Sequence, residues 1–275
     1  MFPFKAALNT STLFPFGLDV RQQVRVAAEA GFEGIELWMK DIDAYLEAGG
    51  ALGDLRAYIA DSGLTLANAI AFFKWADADP AAREQGFAQA EREMRVLAEL
   101  GCQAIAAPPF GDVAGTTLEE MAASFARLVE LGRAIGVEPY LEFWGRASRL
   151  SRLSEALFVA VESGVPDAKL LLDPFHMYTG GSDLSGLHYL RGANIGIVHA
   201  NDYPAAPPRE QIADRDRVFP GEGVAPSAAF AELLDRAGYR GFLSLELFIE
   251  DFGGASAAEV AARGLESLRS AYRVG

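Results

Sequence analysis

Four acidic or imidazole side chains stand near the ends of successive apolar segments in the second half of the sequence. They are Glu142 in Tyr-Leu-Glu-Phe-Trp, Asp173 in Leu-Leu-Leu-Asp-Pro, His199 in Ile-Val-His-Ala-Asn and Glu246 in Leu-Ser-Leu-Glu-Leu. An ionised side chain among apolar residues is costly unless it is paired or bound to a metal ion. Three carboxylates that converge on one point also repel one another unless a cation is present. If the four segments are neighbouring strands, these residues predict one divalent-metal site.

Three oxygen ligands and one nitrogen ligand favour a harder ion than a thiolate site would. We expect Mn²⁺ in the first place, with Mg²⁺, Co²⁺ and Zn²⁺ as alternatives, because affinity alone would not select the ion. Any one of these residues alone is better explained by a structural role, as when Asp173 before Pro174 ends a strand and caps the next turn. The prediction of a metal site therefore depends on all four residues lying in register.

The rest of the chain alternates short apolar segments with helical ones. Strands are predicted at residues 5–9, 34–38, 64–72, 103–108, 138–144, 169–173, 195–200 and 242–248, and helices at 20–30, 52–61, 80–100, 116–135, 154–163, 184–190, 227–237 and 256–272. Eight strand–helix units about 34 residues apart predict an α/β fold, a (β/α)₈ TIM barrel that forms a single domain over residues 1–275. No glycine-rich phosphate turn follows the first strand, which argues against a doubly wound open sheet.

Composition excludes several classes of partner. A formal net charge of −14 argues against nucleic acid and anionic membranes, which bind basic surfaces. The single cysteine, Cys102, excludes an internal disulfide. The first residues lack the pattern of a signal peptide, and no apolar run approaches the roughly 18 residues of a membrane span. We therefore expect a cytoplasmic protein.

The motifs around the four residues resemble those of the xylose isomerase-like TIM barrels, the sugar phosphate isomerase/epimerase superfamily, over essentially the whole chain. They look most like the inosose isomerase branch. The motifs are Leu8-Asn9, Leu141-Glu-Phe143 with Gly145, Leu172-Asp-x-Phe-His176, Asp216-Arg-Val218 with Pro220-Gly-x-Gly223, and Leu245-Glu-Leu-Phe248. The resemblance implies that the four residues bind one divalent metal ion and that Glu142 and Glu246 also move protons. It further implies that His176 and Arg217 contact substrate oxygens near the metal. Barrels of this kind often form dimers, so a homodimer is one expectation.

Such a site suits proton transfer at a carbon next to a carbonyl, through a metal-stabilised enediolate. We expect an isomerase or epimerase that acts on an unphosphorylated keto-inositol or keto-sugar. A dehydratase of a cyclic keto-polyol, such as inosose or 3-dehydroshikimate, is the alternative, and a non-catalytic sugar-binding barrel is a further one. An apurinic endonuclease is disfavoured, because it needs a histidine-rich three-zinc cluster and a basic surface, whereas this chain has 3 histidines and a net negative charge.

Further candidates lie at the predicted strand ends. Trp38, Trp75 and Trp144, with Phe72, Phe110 and Phe175, are predicted to wall a cleft that stacks on a sugar ring. Lys74 is a candidate for holding an anionic group of the substrate. His176 has a second interpretation, as a residue that orients a metal ligand. Arg217 has one as a solvent-exposed charge, and Glu36 either reaches the same site or pairs with a neighbour.

Overall fold

Eight parallel strands form the centre of the computed structural model, which describes all residues, 1–275. They are β1 (Lys5–Asn9), β2 (Gly34–Trp38), β3 (Thr65–Ile70), β4 (Ala104–Ala107), β5 (Glu138–Glu142), β6 (Lys169–Leu172), β7 (Ile195–Ala200) and β8 (Phe242–Leu245). Strand β8 pairs with β1, and β3 lies beside β4 without a hydrogen-bonded ladder, so the sheet is a nearly closed barrel. The predicted single-domain (β/α)₈ TIM barrel is confirmed.

Nine α-helices connect and surround the strands. They are α1 (Val20–Ala30), α2 (Met39–Glu47), α3 (Leu52–Asp61), α4 (Pro80–Leu100), α5 (Leu118–Ile135), α6 (Leu153–Glu162), α7 (Pro174–Gly180), α8 (Ser227–Arg236) and α9 (Ala257–Ala271). Capping boxes open α5 at Thr117 and α9 at Ser256, each formed with the glutamate three residues later. Gly136 ends α5 with a φ of 95°, which a residue with a Cβ adopts only at a cost. None of the helices combines the length and the apolar character needed to cross a bilayer.

Two helices, α2 and α7, were not predicted, and the segment predicted as a helix at 184–190 is a short 3₁₀ helix, Leu184–Tyr189. Helix α7 matters for the site because it begins directly after Asp173. Pro174 cannot continue the strand ladder, yet it suits the first turn of a helix, where its missing N–H has no partner to lose. Asp173 is the N-cap of this helix, and its Oδ1 accepts from the amide of Phe175 at 2.7 Å. The strand-ending aspartate thus turns the chain directly into a helix.

The three leucines of β6 show why this strand is apolar on both faces. Leu170 and Leu172 belong to the large core between strands and helices, whereas Leu171 packs with Ile70, Ala106 and Ile197 in a separate small cluster. Successive side chains of a strand point to opposite faces, so this second cluster fills the barrel interior. The residues that follow the strands are therefore held above a packed interior.

Candidate active site

Three of the four predicted metal ligands meet at the carboxyl ends of the strands. Asp173 follows β6, His199 lies in β7 and Glu246 follows β8, and all three are buried. Their ligand atoms all lie within 4.8 Å of one another. Glu142, the last residue of β5, lies outside this group but lines the same cavity as Glu246. We call Glu142, Asp173, Glu246 and Arg217 the mouth of the site.

Arg217 lies inside the mouth and is buried, contrary to the alternative of a solvent-exposed charge. Its Nη1 donates to Asp173 Oδ2 at 2.9 Å and to Glu246 Oε2 at 2.7 Å. Its Nη2 donates to Asp214 Oδ1 at 2.7 Å, and the guanidinium lies 4.5 Å from the ring centre of Phe175. Burial lowers the pKa of this guanidinium, but the surrounding carboxylates outweigh that effect and raise it. Arg217 therefore neutralises part of the negative charge of the site.

The donor set fits a divalent ion. The Nδ1 atom of His199 lies 3.1 Å from Glu246 Oε2 and 3.8 Å from Asp173 Oδ2. Although buried, it makes no hydrogen bond of acceptable geometry. Two carboxylates and a ring nitrogen that lacks a hydrogen-bond partner are an ordinary ligand set for Mn²⁺ or Zn²⁺. The mouth together with His199 thus suits a metal ion, with Asp173, His199 and Glu246 as the ligands that lie closest together.

Glu142 is suited to holding a proton near neutral pH. Burial raises the pKa of its carboxyl to about 8, and the nearby Glu246 and Asp173 add to this rise, while His199 opposes it. The indole Nε1 of Trp144 donates to Glu142 Oε1 at 3.0 Å and fixes the orientation of the carboxyl group. A carboxyl with a pKa in this range can both accept and return a proton under physiological conditions.

Beneath the mouth lies a buried layer of polar residues, Asn9, Glu36, Asn68 and Ser244, which we call the floor. Glu36 Oε1 lies 3.1 Å from Nε2 of His199, so of the two roles left open for Glu36 the structure shows a buried partner of a predicted metal ligand. Burial raises the pKa of Glu36, but the charge of His199 and the hydrogen bonds of the floor outweigh this and lower it. Glu36 and Glu246 in turn raise the pKa of His199 well above its usual value, against the opposing effect of burial.

The mouth opens into a cavity of about 760 Å³. Six aromatic side chains line it: Trp38, Phe72, Phe110, Trp144, Phe175 and Phe248. Trp38 and Trp144 thus lie where the sequence predicts them. A cavity of this size with aromatic walls and a few convergent polar groups is typical of a small-molecule site.

Two predicted site residues lie elsewhere. Trp75 is fully buried in the core, where its Nε1 donates to the carbonyl of Pro108 at 2.7 Å and its ring packs against Phe125. It does not line the cavity, and the prediction that it walls the cleft is corrected. Lys74 also lies outside the lining, with its ammonium 3.9 Å from Asp77 Oδ2. Both residues are therefore left out of the proposed site.

His176 does line the cavity, and its Nε2 lies 3.4 Å from Arg217 Nη2 and 3.9 Å from Asp173 Oδ2. Burial lowers the pKa of its imidazole, which favours the neutral ring. Both predicted roles, substrate contact and orientation of Asp173, agree with this position. No pattern in the sequence singles out Arg146, which also lines the cavity. Its guanidinium donates to the backbone carbonyls of Arg209 and Ile212 rather than to a carboxylate.

Residues 24–271 match the model of the family described as xylose isomerase-like TIM barrel. The chain belongs to this family. The resemblance predicted from the motifs is thereby confirmed, and relatives named inosose isomerase support the predicted likeness to that branch.

Several proteins named as enzymes are similar to this chain in sequence. The 3-dehydroshikimate dehydratase of Pseudomonas aeruginosa is 30% identical over 90% of this chain, but the chain spans only 39% of the length of that protein. The inosose isomerase of Bacillus velezensis is 26% identical over 88% of each chain. The chain is thus similar in sequence to proteins named as a dehydratase and as an isomerase.

Solved structures of similar fold extend the comparison. A crystal structure of the IOLI protein with a bound zinc atom superposes with a TM-score of 0.90, at 21% identity over 98% of both chains. The 3-keto-D-glucoside 4-epimerase of E. coli gives a TM-score of 0.75, at 24% identity over 97% of this chain and 99% of that one. At these identities the likeness shows a shared fold.

Proposed function

We propose that this chain is a divalent-metal-dependent isomerase or epimerase that moves protons at carbons next to the carbonyl of an unphosphorylated keto-inositol or keto-sugar. The observation that carries the proposal is the Asp173–His199–Glu246 group, whose Glu246 lines the same cavity as Glu142. Similarity to inosose isomerase over 88% of both chains supports the substrate class.

Asp173, His199 through Nδ1 and Glu246 would hold the metal ion, with Glu142 as the fourth ligand. When bound, the ion would act as a Lewis acid on the substrate carbonyl and lower the cost of removing a proton from the neighbouring carbon. We propose Mn²⁺ as the ion, and the zinc atom in the structure of the IOLI protein makes Zn²⁺ the first alternative to test.

Glu142 and Glu246 would move the proton. The indole of Trp144 holds the carboxyl group of Glu142 in one orientation, which suits it to proton transfer. One glutamate removes the proton from the carbon next to the carbonyl. If the proton returns to the other carbon of the enediolate and the hydroxyl proton passes between the two oxygens, the ketone moves. If the proton returns to the opposite face of the first carbon, that carbon is inverted. Neither outcome adds or removes atoms.

The other lining residues would bind the substrate. Aromatic walls exclude water and stack on the apolar face of a ring, while His176 and Arg217 contact substrate oxygens. The Nε atom of Arg217 is buried without a hydrogen-bond partner in the protein, so it has a donor to offer. Trp38 and Trp144 would form the sides of the cleft that select a flat, cyclic substrate.

Solvent-proton exchange tests the proposal. Keto-inositols and ketoses are incubated with the Mn²⁺-loaded protein in deuterated water, and products are read by NMR and mass spectrometry. We expect deuterium at carbons next to the carbonyl, and no incorporation after the metal is removed with a chelator. Binding of the same compounds without exchange in the loaded protein would instead identify a sugar-binding barrel and contradict the proposal.

A dehydratase of a cyclic keto-polyol is the second candidate, and Arg146 is the observation that favours it. Arg146 lines the cavity, and its guanidinium donates to backbone carbonyls without a carboxylate as partner, so its positive charge is available to an acidic substrate. The match to 3-dehydroshikimate dehydratase agrees with such a substrate. Loss of water from 3-dehydroshikimate, followed by the ultraviolet absorbance of the aromatic product, tests this candidate. Arg146→Gln should then raise KM for the acidic substrate and leave neutral ketoses unaffected.

We further propose that the protein acts as a cytoplasmic homodimer. Light scattering coupled to size-exclusion chromatography measures the mass in solution, against 29.5 kDa for one chain. Cell fractionation measures the location. A monomeric mass or a membrane-bound fraction would contradict the respective part of this proposal.

A further inference from the structure

The carboxylate of Glu36 collects donors from four other strands. Asn9 of β1 and Ser244 of β8 donate to Oε2 at 2.9 and 2.7 Å. Asn68 of β3 donates to Oε1 at 2.7 Å, and Nε2 of His199 in β7 lies 3.1 Å from the same oxygen. Glu36 itself is completely buried. A carboxylate with two oxygens has about four acceptor sites, so this one is saturated.

The direction of these hydrogen bonds is fixed by the neighbours of Asn9. Its Oδ1 accepts from Nε1 of Trp38 at 2.8 Å and from the amide of Ser11 at 3.0 Å. Its Nδ2 must therefore be the group that faces Glu36, and the same Nδ2 donates to Glu246 Oε1 at 3.0 Å. An ionised carboxylate has no proton to donate, so in this form Glu36 can only accept from its third and fourth neighbours.

The consequence concerns His199. If Glu36 only accepts, Nε2 of His199 must carry a proton, and Nδ1 is the ring nitrogen left for a different partner. This is the atom that lies between Asp173 and Glu246 and that lacks a hydrogen bond of acceptable geometry. The floor therefore selects which nitrogen of the ring faces the mouth.

We propose that Glu36 is the positioning residue of this site, which holds His199 with Nε2 protonated and Nδ1 presented as the metal ligand. The inference rests on the proposed function, because it assigns the ligand atom for the proposed ion. It adds a residue on a strand, β2, that contributes no predicted ligand. Asn9 also positions Glu246, because its Nδ2 donates to the carboxylates of both Glu36 and Glu246.

The alternative is that Glu36 only completes a buried polar cluster, and the test must separate the two. The variants are Glu36→Gln and, as the matched control, Ser244→Ala. Ser244→Ala removes one donor to Glu36. It leaves the contact between Glu36 and His199 in place. In Glu36→Gln, an amide N–H₂ must face some of the donors, so the ring loses its fixed partner. Zn²⁺, which is diamagnetic, is the probe for all three proteins.

Two readouts are measured, Zn²⁺ affinity by competition with a chromophoric chelator and the ¹⁵N shifts of the His199 ring. We expect Zn²⁺ on Nδ1 and a proton on Nε2 in the wild type. We expect affinity to fall about 10- to 100-fold in Glu36→Gln and by less than the lower end of that range in Ser244→Ala, which leaves Nε2 of His199 its partner on Glu36. Unchanged affinity and unchanged ring shifts in folded Glu36→Gln would overturn the proposal.

The wild type alone provides a second test if Glu36→Gln fails to fold. Zn²⁺ bound to Nε2 of His199 would overturn the role of Glu36 while leaving a metal-dependent function intact. Zn²⁺ bound to Nδ1 without any proton exchange into ketoses would overturn the proposed function and support the role of Glu36. The two proposals thus fail by different measurements.

Discussion

Glu36 in the floor and Glu142 in the mouth are two completely or almost completely buried glutamates whose pKa values shift in opposite directions. The pKa of Glu36 is lowered, and that of Glu142 is raised to about 8. Burial acts in the same direction on both, because it disfavours a charged carboxylate. The difference lies in the donors. Glu36 has three neutral donors and an imidazole around it, whereas Glu142 has one indole and two acidic neighbours.

This contrast shows how one barrel favours the charged form of one buried carboxylate and the protonated form of another. The charge of His199 and the hydrogen bonds of the floor outweigh the cost of burying Glu36, so its ionised carboxylate can orient His199. Glu142 accepts a hydrogen bond from Trp144 and has two acidic neighbours, so its charged form needs a cation nearby. Without a cation, the carboxyl holds a proton at neutral pH. We therefore expect floor residues to control geometry and stability, and mouth residues to control turnover and metal binding.

The largest expected effect lies in the mouth. Glu246→Gln should abolish turnover, a loss of about 10²- to 10⁴-fold in kcat, because an amide cannot accept and return a proton. It should weaken metal binding less than Asp173→Ala does, because the amide oxygen of glutamine can still ligate an ion. Deuterium exchange and metal content of the two variants measure this difference. Full activity in either variant would contradict the site.

The next effect compares the two glutamates directly. In metal-free protein at pH 7, Glu36→Gln should lower the free energy of unfolding by about 3 kcal/mol, since it leaves buried donors without an acceptor and His199 without its partner. Glu142→Gln should change it by less than about 1 kcal/mol, because Glu142 already carries a proton at that pH. Urea unfolding of both variants measures the values. Equal losses would mean that burial alone, and not the donors, separates the two residues.

The pH dependence of stability gives a third comparison. Below the usual pKa of a glutamate, Glu142 is protonated in both the folded and the unfolded state. Between that value and about 8, the unfolded chain loses the proton while the folded protein keeps it. The folded state is therefore penalised as pH rises, by up to about 1.4 kcal/mol per pH unit, and the penalty stops growing above the folded pKa.

Glu142→Gln provides the reference, because it lacks the titrating group and retains the rest of the mouth. We expect wild type and variant, both metal-free, to diverge in the free energy of unfolding from pH 5 to 8, with the wild type falling faster. Parallel curves would show that Glu142 has an ordinary pKa. Addition of Zn²⁺ should reverse the trend in the wild type, because ion binding favours the ionised carboxylate.

The barrel and the Asp173–His199–Glu246 group could be predicted from sequence because both depend on local rules. Runs such as Lys169–Leu172 need burial on both faces, and a carboxylate that ends such a strand has few favourable surroundings. Neighbouring strands place their ends together, so the polar residues converge. The partners of Glu36 were not predictable in this way, because they come from four other strands and no local pattern marks them.

Aromatic residues are less predictable for a physical reason. A carboxylate at a strand end is stable in few places, whereas an aromatic ring is equally satisfied by a core or by a cleft. Phe72 lines the cavity, but the neighbouring Phe73 is buried in the core, as is Trp75. Proximity to the end of β3 therefore does not decide which way a ring points. Arg217 was ambiguous for a similar reason, since its charged neighbours in the chain suggest solvent and only the carboxylates of other strands explain its burial.

The smallest expected effect distinguishes Trp75 from Trp144, which are both predicted from the sequence to wall the cleft. Trp75→Phe removes the donor to the buried carbonyl of Pro108 and should cost about 1–2 kcal/mol of stability. It should leave the pH dependence of Zn²⁺ affinity unchanged. Trp144→Phe should cost less stability, yet it removes the hydrogen bond that favours ionised Glu142, so the pKa of Glu142 should rise further. Zn²⁺ binding by this variant should then begin at a higher pH than in the wild type. A higher pH for the onset of Zn²⁺ binding in Trp75→Phe but not in Trp144→Phe would contradict both assignments. Trp75 would then belong to the cleft, and Trp144 would not influence the pKa of Glu142.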